Sequence, residues 1–326
     1  MRRSDEILIV GGGLAGSEAA WQLAQRGYSV CLVEMRPIAT TPAHQTDMMG
    51  ELVCSNSLGA DNLTSPAGIL KGELRYLNSL IMEAADHSSV PAGKALAVDR
   101  NVFAGYITKK LSGHPRIRIE RREITELPEE PAIIATGPLT SPIFAERLRQ
   151  VTGQEYFSFF DAIAPVVFYD TIDMNKAYRA GRYGQQADYI NCPMNEEEYI
   201  KFCQALLTAE QAPRHEFEKD VRYFEGCLPV EVIASRGIDT LRFGPLRPVG
   251  LPNPSTGAEP YAVVQLRQDN ADGTLFNLVG FQTSLKWGEQ NRVFRMIPGL
   301  ENAEFARYGV MHRNIYVNAP KVLDGS

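Results

Sequence analysis

Four apolar residues in succession, Ile7-Leu8-Ile9-Val10, run directly into Gly11-Gly12-Gly13-Leu14-Ala15-Gly16. An unbroken apolar run of this length, bounded by glycine, predicts a fully buried strand. Ser17 to Arg26 predicts a helix, with Gly27 as its stop. A second apolar run, Ser29 to Val33, predicts a neighbouring strand that ends in Glu34. Beyond Met35-Arg36-Pro37 the periodicity fades. Residues 38–68 are rich in Thr, Pro, Gly, Asn and Asp and read as a long loop, of the kind that is often functional beside a nucleotide site. Gly68 to Ala85 reads as one helix. Asp99 is a natural N-cap for a helix reaching about Leu111, and the alternation Arg116 to Glu120 reads as a strand. Ala132-Ile133-Ile134-Ala135 predicts another buried strand, closing in the turn Thr136-Gly137-Pro138.

From about Val151 the strand–helix alternation breaks up and aromatics cluster in Tyr156-Phe157-Ser158-Phe159-Phe160. This predicts a first domain over 1–150 and an inserted domain over 151–311. Within the second, Asn195 caps a helix whose first turn holds Glu196, Glu197 and Glu198, as the helix dipole favours. Tyr199, Phe202, Cys203, Leu206 and Leu207 recur at helical spacing, which makes Cys203 a core residue. Tyr261 to Arg267 and Phe276 to Thr283 read as strands. Leu241 to Leu251, with two arginines among glycine and proline, reads as an extended loop with forks for anions or bases.

The chemistry of the opening unit follows from its spacing. Gly11, Gly13 and Gly16 have the G-x-G-x-x-G pattern between a strand and a helix. Gly11 suits the tight turn, Gly13 lets backbone approach a pyrophosphate, and Gly16 lets helix and strand pack closely. The helix N-terminus offers N–H groups and a positive dipole end to phosphates. Glu34, at the end of the second strand, is placed to accept hydrogen bonds from a ribose.

Composition fits a globular chain with a large core: 326 residues, 44% hydrophobic and 22% charged. No apolar run approaches a membrane span, and Met1 to Asp5 leaves no room for a signal peptide, so the expected location is cytoplasmic. A net charge of −6 does not advertise nucleic-acid binding. It leaves open a local positive face from Lys109, Lys110, Arg116, Arg118, Arg121 and Arg122 with Lys286, Arg292, Arg295, Arg307 and Arg313. The five cysteines form no C-x-x-C pair, and with five scattered histidines no metal site is expected. Cys31 falls in a buried strand. Cys54 sits in a polar loop with Ser55, Asn56 and Ser57. Cys227 lies just ahead of a short helix from Pro229 to Arg236, where the dipole favours thiolate; a buried structural thiol is the alternative.

Several long stretches together resemble one family. They are residues 11–16, Glu51 to Leu58, Cys227-Leu228-Pro229, Leu241 to Leu251, Gln265 to Asn270, Val279 to Thr283, Met296 to Ala303 and Tyr308 to Asn314. The chain is similar, from residue 6 to 321, to the folate- and FAD-dependent tRNA (uracil-5-)-methyltransferases. The resemblance implies an α/β fold, a glutathione-reductase-like Rossmann FAD-binding domain with an inserted α+β domain, the first domain being rejoined by about 312–326. It implies methylation of carbon 5 of a T-loop uridine in tRNA, using 5,10-methylenetetrahydrofolate and reduced FAD, with NAD(P)H restoring the reduced flavin. It assigns catalysis to Cys54 and Cys227, Cys227 as the thiolate that attacks uracil and Cys54 working near the flavin. Gly11, Gly12, Gly13, Leu14, Ala15, Gly16, Glu34, Arg36 and Gly137 become the FAD-binding set. No stable protein partner is expected. Alternatives are an FAD- or RNA-binding relative without methyl transfer, a general flavin oxidoreductase, or a member acting on ribosomal RNA.

Two departures from the family pattern bear on these expectations. Ser284 stands where the family carries histidine, and if that side chain stacks on folate, serine cannot replace it. Family members also continue past the position of Ser326 with a further glycine-rich flavin-binding stretch and a closing helix. The expectation is an incomplete isoalloxazine end and weakened FAD affinity.

Overall fold

The computed structural model describes residues 5–153, 157–212 and 225–316. Tyr156 and 317–326 lie outside the described residues, as do the side chains of 157–160 and Arg313.

The first layer is a parallel sheet of four strands. Glu6–Val10 is central, flanked by Ser29–Glu34 and then Ile117–Arg121 on one side and by Ala132–Ile134 on the other. In-register pairing sets Ile9 beside Leu32 and Ile133, and the chain leaves the sheet at Gly11, whose N–H donates to Val33 O (2.8 Å). Leu14–Gln25 packs on this sheet together with Leu80–His87 and Arg100–Ser112, burying Ile9, Ala20, Leu32, Leu80, Phe103 and Ile107. The glycine motif thus sits at the carboxyl end of the central strand, where strand order reverses and such folds place ligands.

The sequence expectations need four corrections here. Gly68 to Ala85 is not one helix: Pro66–Tyr76 and Leu80–His87 are separated by Asn78 at φ 55, with Ser79 capping the second through Met82 N. The loop over 38–68 contains the strand Ser57–Ala60, which joins a small antiparallel sheet with Ala95–Val98 and Ser89–Val90. Ala132–Ile134 is the outer strand of its sheet, so Ile133 and Ile134 are exposed. Leu207 is exposed as well: the buried face of Glu196–Thr208 runs through Tyr199, Phe202, Cys203, Ala205 and Leu206. The Asn195 capping box starts that helix as the sequence anticipated.

The second body is a six-stranded, antiparallel-paired sheet. Its order is Tyr178–Ala180, Tyr189–Met194, Ala262–Gln268, Leu275–Leu278, Val166–Phe168 and Phe305–Arg307. The helices Glu196–Thr208, Val230–Ser235 and Trp287–Phe294 contribute to its core, with Cys192, Cys203, Phe202, Phe281 and Phe294 buried together. The strands Phe157–Ala162 and Met311–Tyr316 form a separate antiparallel pair that carries the chain between the bodies. No helix among the described residues is long and apolar enough to cross a membrane.

Candidate active site

A cavity of about 580 Å³ opens where the two bodies meet. Its lining takes in Gly11, Gly13, Leu14 and Ala15 of the glycine motif, Glu34 and Arg36, Gly137 and Thr140, and a cluster of Cys54, Asp161 and Cys227.

At the glycine end each residue has a distinct task. Gly11 adopts φ +105, and a Cβ there would meet Ala135 O at 2.5 Å. A Cβ on Gly16 would stand 1.8 Å from Gly11 O, so only glycine lets this helix lie against the turn. A Cβ on Gly12 would meet Met49 Sδ at 2.3 Å, and the Gly12 N–H donates to Glu34 Oε2 at 2.7 Å. Gly12 and Gly16 therefore shape the cradle without lining it. Gly13 is the open position: a Cβ there would meet nothing within 4 Å and would project into the space a ligand needs. No side chain caps the helix N-terminus behind it. These residues fit a pyrophosphate, which would take the first-turn N–H groups left without a cap.

Glu34 and Arg36 are almost fully buried. Arg36 Nε donates to Glu34 Oε1 (2.7 Å) and Arg36 Nη1 to Glu51 Oε2 (2.6 Å), while Glu51 Oε1 accepts from the backbone of Gln45 and Thr46. Burial alone would raise the Glu34 pKa. Arg36, through a side-chain hydrogen bond and its charge, and the N–H groups of Arg36 and Gly12 outweigh that and hold it below the usual carboxylate range. Glu34 is thus ionised at the cavity wall, an acceptor fixed in place for a sugar hydroxyl. Arg36 meets the cavity mainly as the clamp between two carboxylates.

The cysteine end is assembled from distant segments. The loop before Ser57–Ala60 is anchored residue by residue. Asn56, fully buried, donates to Val98 O (3.1 Å) and Gln268 O (3.0 Å) and accepts from Arg267 Nε and Asn277 Nδ2, both at 3.1 Å. Arg267 Nη2 holds Ser55 Oγ (3.1 Å), and Arg100 donates to Leu52 O and Cys54 O. Cys54 is thereby set between the bodies. Cys227 ends the short turn Glu225–Cys227 ahead of Val230–Ser235, where Pro229 stands at the N-cap and not inside the helix. That helix is tied down by Val230 N to Gln282 O (2.7 Å) and by Glu231, which accepts from Thr283 Oγ1, Ser284 N and Ser284 Oγ at 2.9, 2.7 and 2.6 Å. Ser284 is buried against Glu231, on the helix that follows Cys227, and is not among the residues that line this cavity.

The ligating atoms of Cys54, Cys227 and Asp161 all lie within 4.8 Å of one another. The Cys54 thiol is pushed far up, first by its hydrogen bond with Cys227, then by burial and by the Asp161 carboxylate. Cys31, Cys192 and Cys203 are buried core thiols.

Sequence reasoning did not single out Asp161, Arg100, Asn277 or Glu231. Arg267 and Asn277 could have been sought within or beside the Gln265 to Asn270 and Val279 to Thr283 stretches; Asp161 follows an aromatic run and carries no pattern. The basic residues proposed for a positive face are largely paired: Arg118 with Glu6 and Glu120, Arg122 with Glu120, Lys110 with Glu83, Lys286 with Glu210, Arg292 with Glu289. In the Leu241 to Leu251 segment, Thr240–Phe243 is a helical turn, and Arg242 is committed to Tyr261, over its ring (4.1 Å) and to its carbonyl (2.9 Å).

Fold and cavity define a Rossmann-type α/β protein with a glycine-rich cradle of the dinucleotide-binding kind. A family model described as glucose inhibited division protein A matches residues 6–326. The methylenetetrahydrofolate–tRNA-(uracil-5-)-methyltransferase TrmFO of Listeria monocytogenes serotype 4b is 61% identical over 319 residues, covering 98% of this chain and 73% of the relative. The protein of the same name from Moorella thermoacetica is 62% identical over 322 residues, covering 98% and 74%. Among solved structures, Aquifex aeolicus GidA superposes with a TM-score of 0.69 at 16% identity, over 97% of this chain and 57% of that one. The chain belongs to the TrmFO family.

Proposed function

We propose that this chain methylates carbon 5 of a T-loop uridine in tRNA, with 5,10-methylenetetrahydrofolate as the one-carbon donor and FAD as its cofactor, kept reduced by NAD(P)H. The observation that carries the reading is the convergence of Cys54 and Cys227 in the same cavity that the glycine motif and Glu34 line. Relatives at about 60% identity bear the corresponding name.

The residues divide the work as follows. Gly13, Leu14 and Ala15 offer backbone to the pyrophosphate of FAD, and the Glu34 carboxylate accepts from the adenosine ribose. The Gly137 turn, at φ +64, brings backbone beside the same cavity. When bound, FAD supplies the carrier and hydride chemistry that no side chain can. Carbon 5 of uracil is a poor nucleophile. A Cys227 thiolate adding to carbon 6 converts the ring to an enolate that is reactive at carbon 5. Once the one-carbon unit is bonded to carbon 5, loss of the carbon 5 proton to water expels the Cys227 sulfur from carbon 6 as thiolate and leaves a methylene group, and the two electrons that make it methyl are those the reduced flavin would supply. Five free thiols suit the reducing cytoplasm, where we place the reaction.

The test is transfer of labelled methylene from 5,10-methylenetetrahydrofolate to unmodified tRNA, with ribosomal RNA as a second acceptor. Label should reach tRNA, and Cys227→Ala should reduce it to background. Full labelling by Cys227→Ala would remove the nucleophile assignment, and label in ribosomal RNA alone would replace the substrate.

A further inference from the structure

We propose that Cys54, Cys227 and Asp161 form a binding site for a thiophilic divalent cation of the zinc type, and that the bound ion withholds both thiols from reaction. The site stands on geometry; its consequence rests on the methyl-transfer reading.

Spacing along the chain predicts no metal site, because the three donors fall on distant segments. Folding brings them together. Both sulfurs and a carboxylate oxygen of Asp161 lie within 4.8 Å of one another, and the three half-buried residues line one cavity. A zinc ion about 2.3 Å from each sulfur sets its tetrahedral donors about 3.7 Å apart, so the cluster needs to close by about an ångström at most. Two sulfurs and one oxygen select zinc over magnesium or calcium, which take oxygen donors alone. Each donor is held from behind. Asp161 Oδ1 accepts from the Ala162 N–H at 2.9 Å, and the Cys54 carbonyl accepts from Arg100 Nη2 at 3.2 Å. The helix after Cys227 is tied by Val230 N donating to Gln282 O at 2.7 Å. Donors fixed in advance lose little freedom when the ion arrives.

Two independent observations point to the same ligand. His312 stands opposite Asp161 in the strand pair, so both side chains leave the same face. It is 7% exposed, and its Nδ1 has no hydrogen-bond partner. A buried nitrogen in that state calls for a ligand or a bound water. Water in the fourth zinc position, reached from the cavity, would donate to it. Charge is matched as well. Zinc with two thiolates and a carboxylate carries one net negative charge. Arg100 and Arg307 flank the Cys54 loop and share the Asp269 carboxylate, at 3.4 and 3.9 Å, which leaves that group one positive charge in excess.

Binding breaks two S–H bonds, passes both protons to water and changes no oxidation state. A sulfur whose lone pair is engaged by the ion cannot add to carbon 6 of uracil. Zinc should therefore stop methyl transfer, and a chelator should restore it.

The measurement is titration of the purified chain, with its bound FAD, by Zn2+ in a calorimeter and by Co2+ in an absorption spectrometer. One tight equivalent of Zn2+ should bind. Co2+ should give thiolate charge transfer and the red-region bands of tetrahedral coordination, which the flavin does not obscure. Cys54→Ser and Cys227→Ser should each weaken Zn2+ binding at least about tenfold, and Asp161→Asn should weaken it less. Cys31, Cys192 and Cys203 remain in every variant as internal controls. Unchanged FAD content shows that a variant has folded. No tight equivalent, one that survives in the Cys54→Ser/Cys227→Ser double variant, or an octahedral Co2+ spectrum without charge transfer would overturn the site. Metal binding needs neither RNA nor folate. A chain that holds zinc through both cysteines yet transfers methylene at full rate would remove Cys227 from the function reading and leave the metal site standing.

Discussion

The two ends of the cavity are built in opposite ways. The glycine end is nearly contiguous: residues 10–16 and Glu34 come from one strand–helix–strand unit, and their shape is dictated by backbone clearances of a few ångströms. The cysteine end is drawn from residues 54, 161 and 227 and depends on hydrogen bonds reaching from the second body, through Arg267, Asn277 and Glu231. Local steric fit makes the first end; remote polar anchoring makes the second. Damage at the first should therefore reach the fold wherever backbone hems the glycine in, and damage at the second should reach the chemistry first.

The comparison breaks hardest at Gly16. A methyl group 1.8 Å from Gly11 O has nowhere to go because the obstacle is backbone. Gly16→Ala should cost about 3 kcal/mol or more, read as a loss of soluble, cooperatively unfolding protein. A normal denaturant midpoint would show that the helix can shift at little cost. Next comes Arg36, buried between Glu34 and Glu51. Arg36→Ala strands two buried carboxylates and should cost about 3–5 kcal/mol, measured by chemical denaturation without ligand. A cost below about 1 kcal/mol would mark the cluster as a wet surface pair.

The smallest expected effect on the fold is at Gly13, where a Cβ meets nothing within 4 Å. Gly13→Val should change stability by no more than about 1 kcal/mol. It should nevertheless weaken FAD binding at least tenfold in a fluorescence titration, because the side chain enters the pyrophosphate space. Unchanged FAD affinity in a folded Gly13→Val protein would move the cofactor elsewhere. Gly13 and Gly16, three residues apart, thus separate holding a ligand from holding the fold.

Much of this was legible in the chain. Unbroken apolar runs announced the strands at Glu6–Val10 and Ser29–Glu34, and Asp99 and Asn195 announced their helices through capping chemistry. These signals are local, so sequence carries them. Residue 78 was missed as a helix break because asparagine at positive φ has no obligatory signature. Exposure of Ile133 and Ile134 was missed because an apolar run does not say whether its strand has neighbours on both sides. The part Ser284 plays in the fold carried no signal in the chain. Ser284 is a hydrogen-bond donor to a buried carboxylate on the helix that follows Cys227.

By itself the sequence determined the strand–glycine–helix unit and the family, and it singled out Cys54 and Cys227, since each of these signals lies within a short contiguous stretch. Tertiary structure alone decided that the two cysteines meet, that Asp161 stands beside both, and that Arg36 bridges Glu34 to Glu51. The reason is physical. A turn or a cap is fixed by sterics and hydrogen bonds within a few residues, whereas the protonation of a thiol is set by whatever charges and acceptors folding brings within a few ångströms of it.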